Sequence, residues 1–122
     1  MLGDGKKILI FEDNPTIALL LRTFFERRRY AVKLCEDGTE AVKAVREYAP
    51  NLIIMDVIMP GKDGIEACTD LRREGVRTPI IILSSKAYED DKQRGLAAGA
   101  NAYLLKPFDP KKLEEIIAPL LS

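Results

Sequence analysis

The sequence predicts an α/β domain in which helices cover both faces of a five-stranded parallel sheet. Short, continuously apolar runs recur along the chain, as expected for strands buried on both faces. Each run is followed closely by a segment with helical features. The connections are short, which favours parallel strands joined by right-handed helical crossovers.

Turn residues and apolar spacing delimit the individual elements. The five predicted strands cover residues 8–11, 30–35, 51–56, 79–84 and 101–105. The second is the weakest, because its apolar residues alternate only in part, and we expect it near an edge. The helix boundaries are predicted by Asn14-Pro15, Asp37-Gly38, Asp63 and Asp109-Pro110 at the starts and by Arg27-Arg28-Arg29, Pro50 and Gly75 at the ends.

One further helix is predicted over residues 88–98, between the last two strands. It is poorly amphipathic and contains Gly95, so we expect it to pack loosely and to move easily. The chain is therefore a doubly wound (βα)5 sandwich, and at this size the flavodoxin-like strand order 2-1-3-4-5 is the natural arrangement. We expect a single domain over residues 1–122.

Composition narrows the classes of function. With 19 basic and 19 acidic residues the net charge is zero, which argues against direct nucleic-acid binding. The sequence has no membrane-spanning run and no signal peptide. Cys35 and Cys68 stand far apart and there is no histidine, so we expect reduced thiols in a cytoplasmic protein, with neither His-based catalysis nor His metal ligation.

Polar side chains end four of the predicted strands: Glu12 and Asp13, Asp56, Ser84 and Lys106. The carboxyl ends of parallel strands meet at one edge of the sheet, so these residues should lie close together at that edge. Crowded carboxylates repel one another and raise at least one pKa, and a bound cation relieves this repulsion. Ligands that are all oxygen select a hard ion, and Mg²⁺ fits.

A carboxylate beside Mg²⁺ can attack a phosphoryl group, which would make Asp56 an aspartyl phosphate. Lys106 would offset the charge of the phosphoryl group, and Ser84 could donate a hydrogen bond to it. Taken singly, each residue also has a plainer interpretation as helix-start acid, turn hydroxyl or surface charge. Their common position favours the functional interpretation.

The segments that carry these residues resemble the receiver domain of bacterial two-component response regulators, the CheY-like family. The resemblance covers essentially the whole chain and rests on Phe11-Glu12-Asp13-Asn14, Met55-Asp56-Val57-Ile58-Met59-Pro60-Gly61 with Asp63-Gly64, Leu83-Ser84-Ser85 and Leu105-Lys106-Pro107-Phe108. It implies that Asp56 accepts a phosphoryl group from a histidine kinase or a phosphotransfer protein. It also implies that Asp13, Asp56 and the Ile58 carbonyl hold Mg²⁺, with Glu12 acting through water.

The resemblance further implies a switch made of Ser84 and Tyr103, a phosphate contact from Lys106 and a cis Lys106-Pro107 bond. The apolar Ile58 and the charged Lys86 depart mildly from the family pattern and leave the dephosphorylation rate open. The signal would leave through the face formed by the helix over 88–98, the last strand and the last helix.

The implied protein is a signalling switch, and the only reactions it catalyses are its own phosphorylation and dephosphorylation. We expect a monomer or a weak, phosphorylation-dependent dimer that binds an unknown downstream partner. The alternative is a receiver-like interaction module that works without phosphorylation. A flavin carrier is disfavoured by the acidic loop after the first strand, and a haloacid-dehalogenase-type phosphatase by the absence of Asp-x-Asp at Glu12-Asp13-Asn14.

Overall fold

The computed structural model describes residues 5–85 and 89–121, over which strands and helices alternate. The strands are β1 Lys7–Phe11, β2 Ala31–Cys35, β3 Leu52–Asp56, β4 Ile80–Ser84 and β5 Ala102–Leu105. The helices are α1 Pro15–Glu26, α2 Ala41–Tyr48, α3 Gly64–Arg73, α4 Glu89–Ala97 and α5 Pro110–Leu121. No helix within the described residues is long and apolar enough to cross a bilayer.

The strands form one parallel sheet in the order β2-β1-β3-β4-β5, which confirms the predicted topology. The register brings the carboxyl ends of the central strands to the same level. Phe11 of β1 lies opposite Met55 of β3, and Asp56 lies opposite Leu83 of β4. The residues that follow β1, β3, β4 and β5 therefore meet at one edge of the sheet.

Apolar side chains fill the space on both faces of the sheet because successive strand residues point to opposite sides. Leu9, Ile53 and Ile82 lie in the core beneath α2 and α3, whereas Ile8, Ile54 and Ile81 lie in the core beneath α1 and α5. Every residue of β3 and β4 is buried, as predicted from their continuous apolar runs. These two strands form the buried centre of the sheet and end in Asp56 and Ser84.

Short polar side chains start three of the helices as predicted. Asn14 Oδ1 accepts hydrogen bonds from the backbone N–H groups of Thr16 and Ile17, at 2.9 and 3.2 Å. Asp63 caps α3 through Glu66 N at 2.8 Å. Asp109 Oδ1 accepts from the backbone N–H of the second α5 residue at 3.0 Å. Such caps satisfy backbone donors at the start of a helix and keep these connections short.

The predicted start of the second helix is wrong by a few residues. Asp37 Oδ1 accepts a hydrogen bond from Thr39 N at 2.6 Å, which makes a turn rather than a helix start. The helix begins at Ala41, preceded by Glu40, which forms no side-chain cap. Its end agrees with the prediction, because Ala49 adopts a left-handed conformation directly before Pro50.

Helix α4 lies within the predicted range, although Tyr88 falls outside the described residues. Leu96 is 39% exposed, in keeping with the weak amphipathicity of this helix. Gly95, in contrast, is buried, and a Cβ there would lie only 3.1 Å from both the Ile82 and Tyr103 side chains. The helix approaches the sheet closely at this point, and its expected mobility stays a prediction.

Candidate functional site

The predicted site residues converge at the carboxyl edge of the sheet. Lys106 Nζ lies 2.7 Å from Glu12 Oε1 and 3.0 Å from Asp56 Oδ2. Carboxylate oxygens of Glu12, Asp13 and Asp56 all lie within 4.8 Å of one another. Four residues from the ends of β1, β3 and β5 thus form one charged cluster.

The cluster is buried more deeply than the sequence suggested. Asp56 is 6% exposed and Glu12 3% exposed, whereas only Asp13 lies at the surface. The sequence predicts Asp56 at the edge of the sheet and outside the core, because an unpaired carboxylate is costly to bury. The Lys106 side chain, itself 12% exposed, reduces this cost by placing one ammonium group between the two buried carboxylates.

Burial and pairing shift the pKa values in the cluster. Burial is the largest effect on Glu12 and raises its pKa, and the charge of Asp56 adds to the rise. Hydrogen bonds from Lys106 and from the Asn14 backbone N–H oppose it. The expected rise in a carboxyl pKa is thus found at Glu12, although burial contributes more to it than repulsion.

Lys106 remains an ammonium group at neutral pH. Burial alone would lower its pKa, but its hydrogen bonds to Glu12 and Asp56 outweigh that effect and raise the pKa. A fixed positive charge therefore faces the Asp56 carboxylate, in the place where a phosphoryl group would bring negative charge.

The donor set fits a hard divalent cation. The three carboxylates carry three negative charges and Lys106 one positive charge, so the cluster has an excess of negative charge that a divalent ion would neutralise. Carboxylate oxygens are the ligands that Mg²⁺ prefers, usually together with several waters. Asp13 lies exposed on the rim, which leaves a side open for waters. Ile58, two residues past Asp56, has a 54% exposed side chain, so the side chain does not fill the pocket.

Gly64 allows α3 to start directly against the backbone of Asp56. A Cβ at Gly64 would lie 2.0 Å from the Asp56 carbonyl oxygen, and Gly64 N donates a hydrogen bond to Val57 O at 2.8 Å. Any other residue would push the strand end and the helix apart. From the sequence this glycine was noted only as part of a motif, and its contact with Asp56 becomes visible only in three dimensions.

The two predicted switch residues lie on the neighbouring strands. Ser84 is 1% exposed at the end of β4, one strand away from Asp56. Tyr103 on β5 lies in register with Ile82 of β4 and packs against the core near Gly95. Their part in switching stays a prediction.

Two other features of this region were predicted around the switch residues. The Lys106-Pro107 bond is cis, as the resemblance implied. Lys86, which was noted as a departure from the family pattern, lies outside the described residues.

An apolar groove adjoins the charged cluster and was not predicted from the sequence. Its volume is about 510 Å³, and it is lined by Ile17, Leu20, Ser85, Lys106, Pro107, Phe108 and Pro110. Leu20 of α1, one of these residues, is 55% exposed. The helical spacing of α1 was clear in the sequence, but which apolar residues of α1 remain uncovered depends on where α5 packs.

Known proteins share both the sequence pattern and the fold. The family described as response regulator receiver domain matches residues 8–118. The chain is 40% identical over 117 residues to the alkaline phosphatase synthesis transcriptional regulatory protein PhoP of Bacillus subtilis, covering 96% of this chain and 49% of PhoP. It is 41% identical over 115 residues to the transcriptional regulatory protein ResD of the same organism, covering 94% of this chain and 48% of ResD.

Solved structures agree with these sequence matches. The receiver domain of the sensor histidine kinase PA1611 from Pseudomonas aeruginosa superposes with a TM-score of 0.86 at 34% identity, over 95% of this chain and 97% of that one. That structure has a magnesium ion coordinated in its active-site cleft. The chain spans about half the length of the curated relatives it matches. The chain belongs to the response regulator receiver domain family of two-component signalling.

Proposed function

We propose that this chain is a phosphorylation-controlled switch in which Asp56 accepts a phosphoryl group in the presence of Mg²⁺. The observation that carries the proposal is the position of Asp56, whose Oδ2 lies 3.0 Å from Lys106 Nζ within a cluster of three carboxylates. A nucleophile and a fixed positive charge are thus in contact, and the neighbouring carboxylates can hold a cation. Phosphoryl transfer needs little more than this combination of position and charge.

In the proposed reaction, an Asp56 carboxylate oxygen attacks the phosphorus of a phosphohistidine on the donor protein. The new O–P bond forms as the N–P bond breaks, and the histidine nitrogen leaves with the electron pair. Mg²⁺ would supply positive charge to the phosphoryl oxygens. Its ligands would be Asp13, Asp56 and the Ile58 carbonyl, with Glu12 acting through water. Lys106 stabilises the same charge from its side of the site, and Ser84 donates a hydrogen bond to the bound group.

Acetyl phosphate tests this proposal without any partner protein. The wild-type chain is incubated with acetyl phosphate and Mg²⁺, and its intact mass is followed over time. We expect the mass of one added phosphoryl group, a requirement for Mg²⁺ and no gain in Asp56→Asn. Phosphorylation of Asp56→Asn at the wild-type rate would refute the assignment. A wild type that is never phosphorylated would favour a receiver-like module that works without phosphorylation.

We propose that the phosphoryl donor docks in the groove beside α1. The groove is apolar, opens next to Lys106 and is lined in part by Leu20, which is 55% exposed. A histidine kinase or phosphotransfer protein that covered Leu20 would bury apolar surface and bring its phosphohistidine towards Asp56. Leu20→Glu should therefore slow phosphorylation by such a donor protein but leave the acetyl phosphate reaction unchanged. Equal loss in both reactions would refute the docking proposal.

We propose that the phosphorylation signal leaves through the face formed by α4, β5 and α5. Ser84 would move towards the phosphoryl group and Tyr103 would turn inward, a population shift between two packings. Gly95 supports this route, because it brings α4 within contact distance of Tyr103.

NMR spectra recorded with and without beryllofluoride test the route. Chemical shift changes should concentrate between Ser84 and Phe108, and Ser84→Ala should reduce them while the mimic still binds at Asp56. Changes confined to the loops that touch the mimic would contradict the route.

The wider setting is proposed from the relatives. PhoP and ResD are named as transcriptional regulatory proteins, and about half of each lies outside the match. We propose that residues 1–122 form a single receiver domain that works in the cytoplasm, as a monomer or a weak phosphorylation-dependent dimer. Its output passes to a downstream protein or effector domain. With no net charge, the domain itself does not contact nucleic acid.

A further inference from the structure

Two loops at the carboxyl edge of the sheet contact each other closely, outside the charged cluster. The α2 loop, residues 36–40, joins β2 to α2, and the acceptor loop, residues 57–63, joins β3 to α3. A Cβ at Gly61 would lie 2.0 Å from Thr39 Oγ1 and 2.6 Å from Asp37 Oδ1. No real Cβ approaches other atoms so closely, so the two loops fit together only because residue 61 has no side chain.

A second glycine makes the reciprocal contact. A Cβ at Gly38 would lie 2.4 Å from the carbonyl oxygen of Lys62 and 3.0 Å from Met59 Cε. The obstacle here is backbone of the acceptor loop, which cannot rotate away as a flexible side chain can. Met59 is itself buried in the core, which limits how far it can shift. Each loop therefore places a glycine against the other loop.

The surface that receives Gly61 is ordered by its own hydrogen bonds. Asp37 Oδ1 accepts a hydrogen bond from Thr39 N at 2.6 Å. Hydrogen bonds from the Thr39 side chain and backbone hold the pKa of Asp37 below its usual value, so Asp37 stays ionised at neutral pH. The α2 loop thus presents Asp37 and Thr39 in a fixed arrangement to the acceptor loop.

The acceptor loop begins directly after Asp56 and contains Ile58, whose carbonyl is a proposed Mg²⁺ ligand. At its far end Gly64 fixes it to α3, through the contact with the Asp56 carbonyl and the hydrogen bond to Val57 O. In its middle, Gly61 and the carbonyl oxygen of Lys62 face the α2 loop, whereas the Lys62 side chain pairs with Asp70 of α3. The location of the Ile58 carbonyl therefore depends on α3 and also on the α2 loop, which supplies no residue to the charged cluster.

We propose that the α2 loop is a positioning element for the cation site. The contacts that Gly38 makes with Lys62, and that Gly61 makes with Asp37 and Thr39, set the position of the Ile58 carbonyl and so the affinity for Mg²⁺. This inference rests on the proposed function, because it assumes that the cation binds at Asp13, Asp56 and Ile58. Displacement of a site by about 1 Å is enough to change its performance by orders of magnitude.

Backbone strain is the competing explanation for Gly61, and the chain contains a matched control. Gly61 has φ +81° and Gly75 has φ +85°, so alanine is strained to a similar degree at both positions. Nothing lies within 4 Å of a Cβ at Gly75, however. Gly75→Ala therefore measures what such strain costs away from the cation site, and Gly38→Ala tests the contact between the loops at a residue outside the left-handed region.

The experiment measures the Mg²⁺ dissociation constant of wild type, Gly61→Ala, Gly75→Ala and Gly38→Ala by NMR titration, at a temperature where each is folded. We expect affinity to fall by about tenfold or more in Gly61→Ala and Gly38→Ala, and by less than about twofold in Gly75→Ala. Adding Thr39→Gly to Gly61→Ala removes the nearest obstructing atom and should recover part of the lost affinity, because Asp37 Oδ1 still lies 2.6 Å from the added Cβ.

Wild-type affinity in both Gly61→Ala and Gly38→Ala would overturn the proposal, as would an equal loss in Gly61→Ala and Gly75→Ala. A wild type that does not bind Mg²⁺ would overturn the proposed function as well, so the two failures are distinguishable. If Gly61→Ala does not fold, the Mg²⁺ affinity of Gly38→Ala tests the proposal by the same criteria. Residue 38 does not have the left-handed conformation, so alanine there causes no backbone strain of that kind.

Discussion

The two ends of the sheet are stabilised differently. At the amino ends of the strands the Arg72 side chain donates hydrogen bonds to backbone carbonyl groups, whereas at the carboxyl ends buried charged side chains pair with one another. At the amino ends, Arg72 donates to the carbonyl oxygens of Gly99, Val76 and Thr78 at 3.0, 2.9 and 2.8 Å. It also donates to Asn101 Oδ1 at 3.0 Å, and the same oxygen accepts a hydrogen bond from the backbone N–H at the start of β4.

The carboxyl end has the opposite character. Glu12 and Asp56 share one ammonium group, that of Lys106, and Asp13 adds a third carboxylate within 4.8 Å. The hydrogen bonds at the amino end therefore stabilise the fold without any ligand, whereas the carboxyl end carries an excess of negative charge. This difference supports the proposal that the carboxyl end binds a cation and a phosphoryl group, because its charges do not serve the stability of the fold alone.

Removing Lys106 should have the largest effect, because it leaves two buried carboxylates without a counter-charge. We expect Lys106→Met to lower the free energy of unfolding by about 3 kcal/mol at neutral pH without metal. Urea denaturation in EDTA measures this loss.

The pH dependence of the Lys106→Met deficit gives an independent check. In wild type, Lys106 lowers the pKa of Glu12 through its hydrogen bond and its charge, so Lys106→Met raises that pKa still further above the ordinary 4.5. The deficit should therefore shrink as the pH falls through the variant's higher Glu12 pKa, because the folded variant takes up a proton before the folded wild type does. A deficit that does not change with pH would contradict the account of the charged end.

Removing the Arg72 side chain should instead weaken the hydrogen bonds at the amino ends of the strands. Arg72→Met leaves three carbonyl groups and Asn101 with fewer partners, and we expect a loss of about 2 kcal/mol. Arg73→Met is the control, because that side chain is 72% exposed and its ion pair with Asp70 is long. Mg²⁺ affinity should stay at the wild-type value in both variants. A large fall in affinity in Arg72→Met would show that the two ends are not independent.

Removing one charge from the cluster should have the smallest effect and the opposite sign. Asp56→Asn keeps an oxygen that can accept from Lys106 but removes part of the negative excess. We expect the metal-free variant to be more stable than wild type by about 1 kcal/mol, as is common when a functional charge is neutralised. Thermal unfolding in EDTA checks this, and a clear loss of stability would count against the proposed repulsion.

Much of the architecture could be predicted because it depends on local pattern. The apolar runs of β3 and β4 and the caps at Asn14 and Asp63 are local signals, and the structure confirms them. The start of α2 was wrong because a local hydrogen bond from Thr39 to Asp37 competes with the helix. Asp37-Gly38 thus resembles a helix start but forms a turn.

The site was less predictable than the fold, because its details depend on residues distant in sequence. The convergence of Glu12, Asp56 and Lys106 followed from strand order, but the depth of Asp56 depends on its pairing with a lysine from β5. The contact between Gly38 and Lys62 joins two loops that are separated by α2 and β3. No local pattern reveals such contacts.

The most direct test of this account is the Mg²⁺ dependence of stability in wild type and in Asp13→Asn. If the carboxyl end is arranged for a cation, Mg²⁺ at about 100 times its dissociation constant should raise the wild-type free energy of unfolding by about 2.7 kcal/mol. Asp13→Asn removes one ligand, so the same concentration should stabilise it much less. A wild-type unfolding free energy that is unchanged by Mg²⁺, or an equal gain in both proteins, would contradict the account.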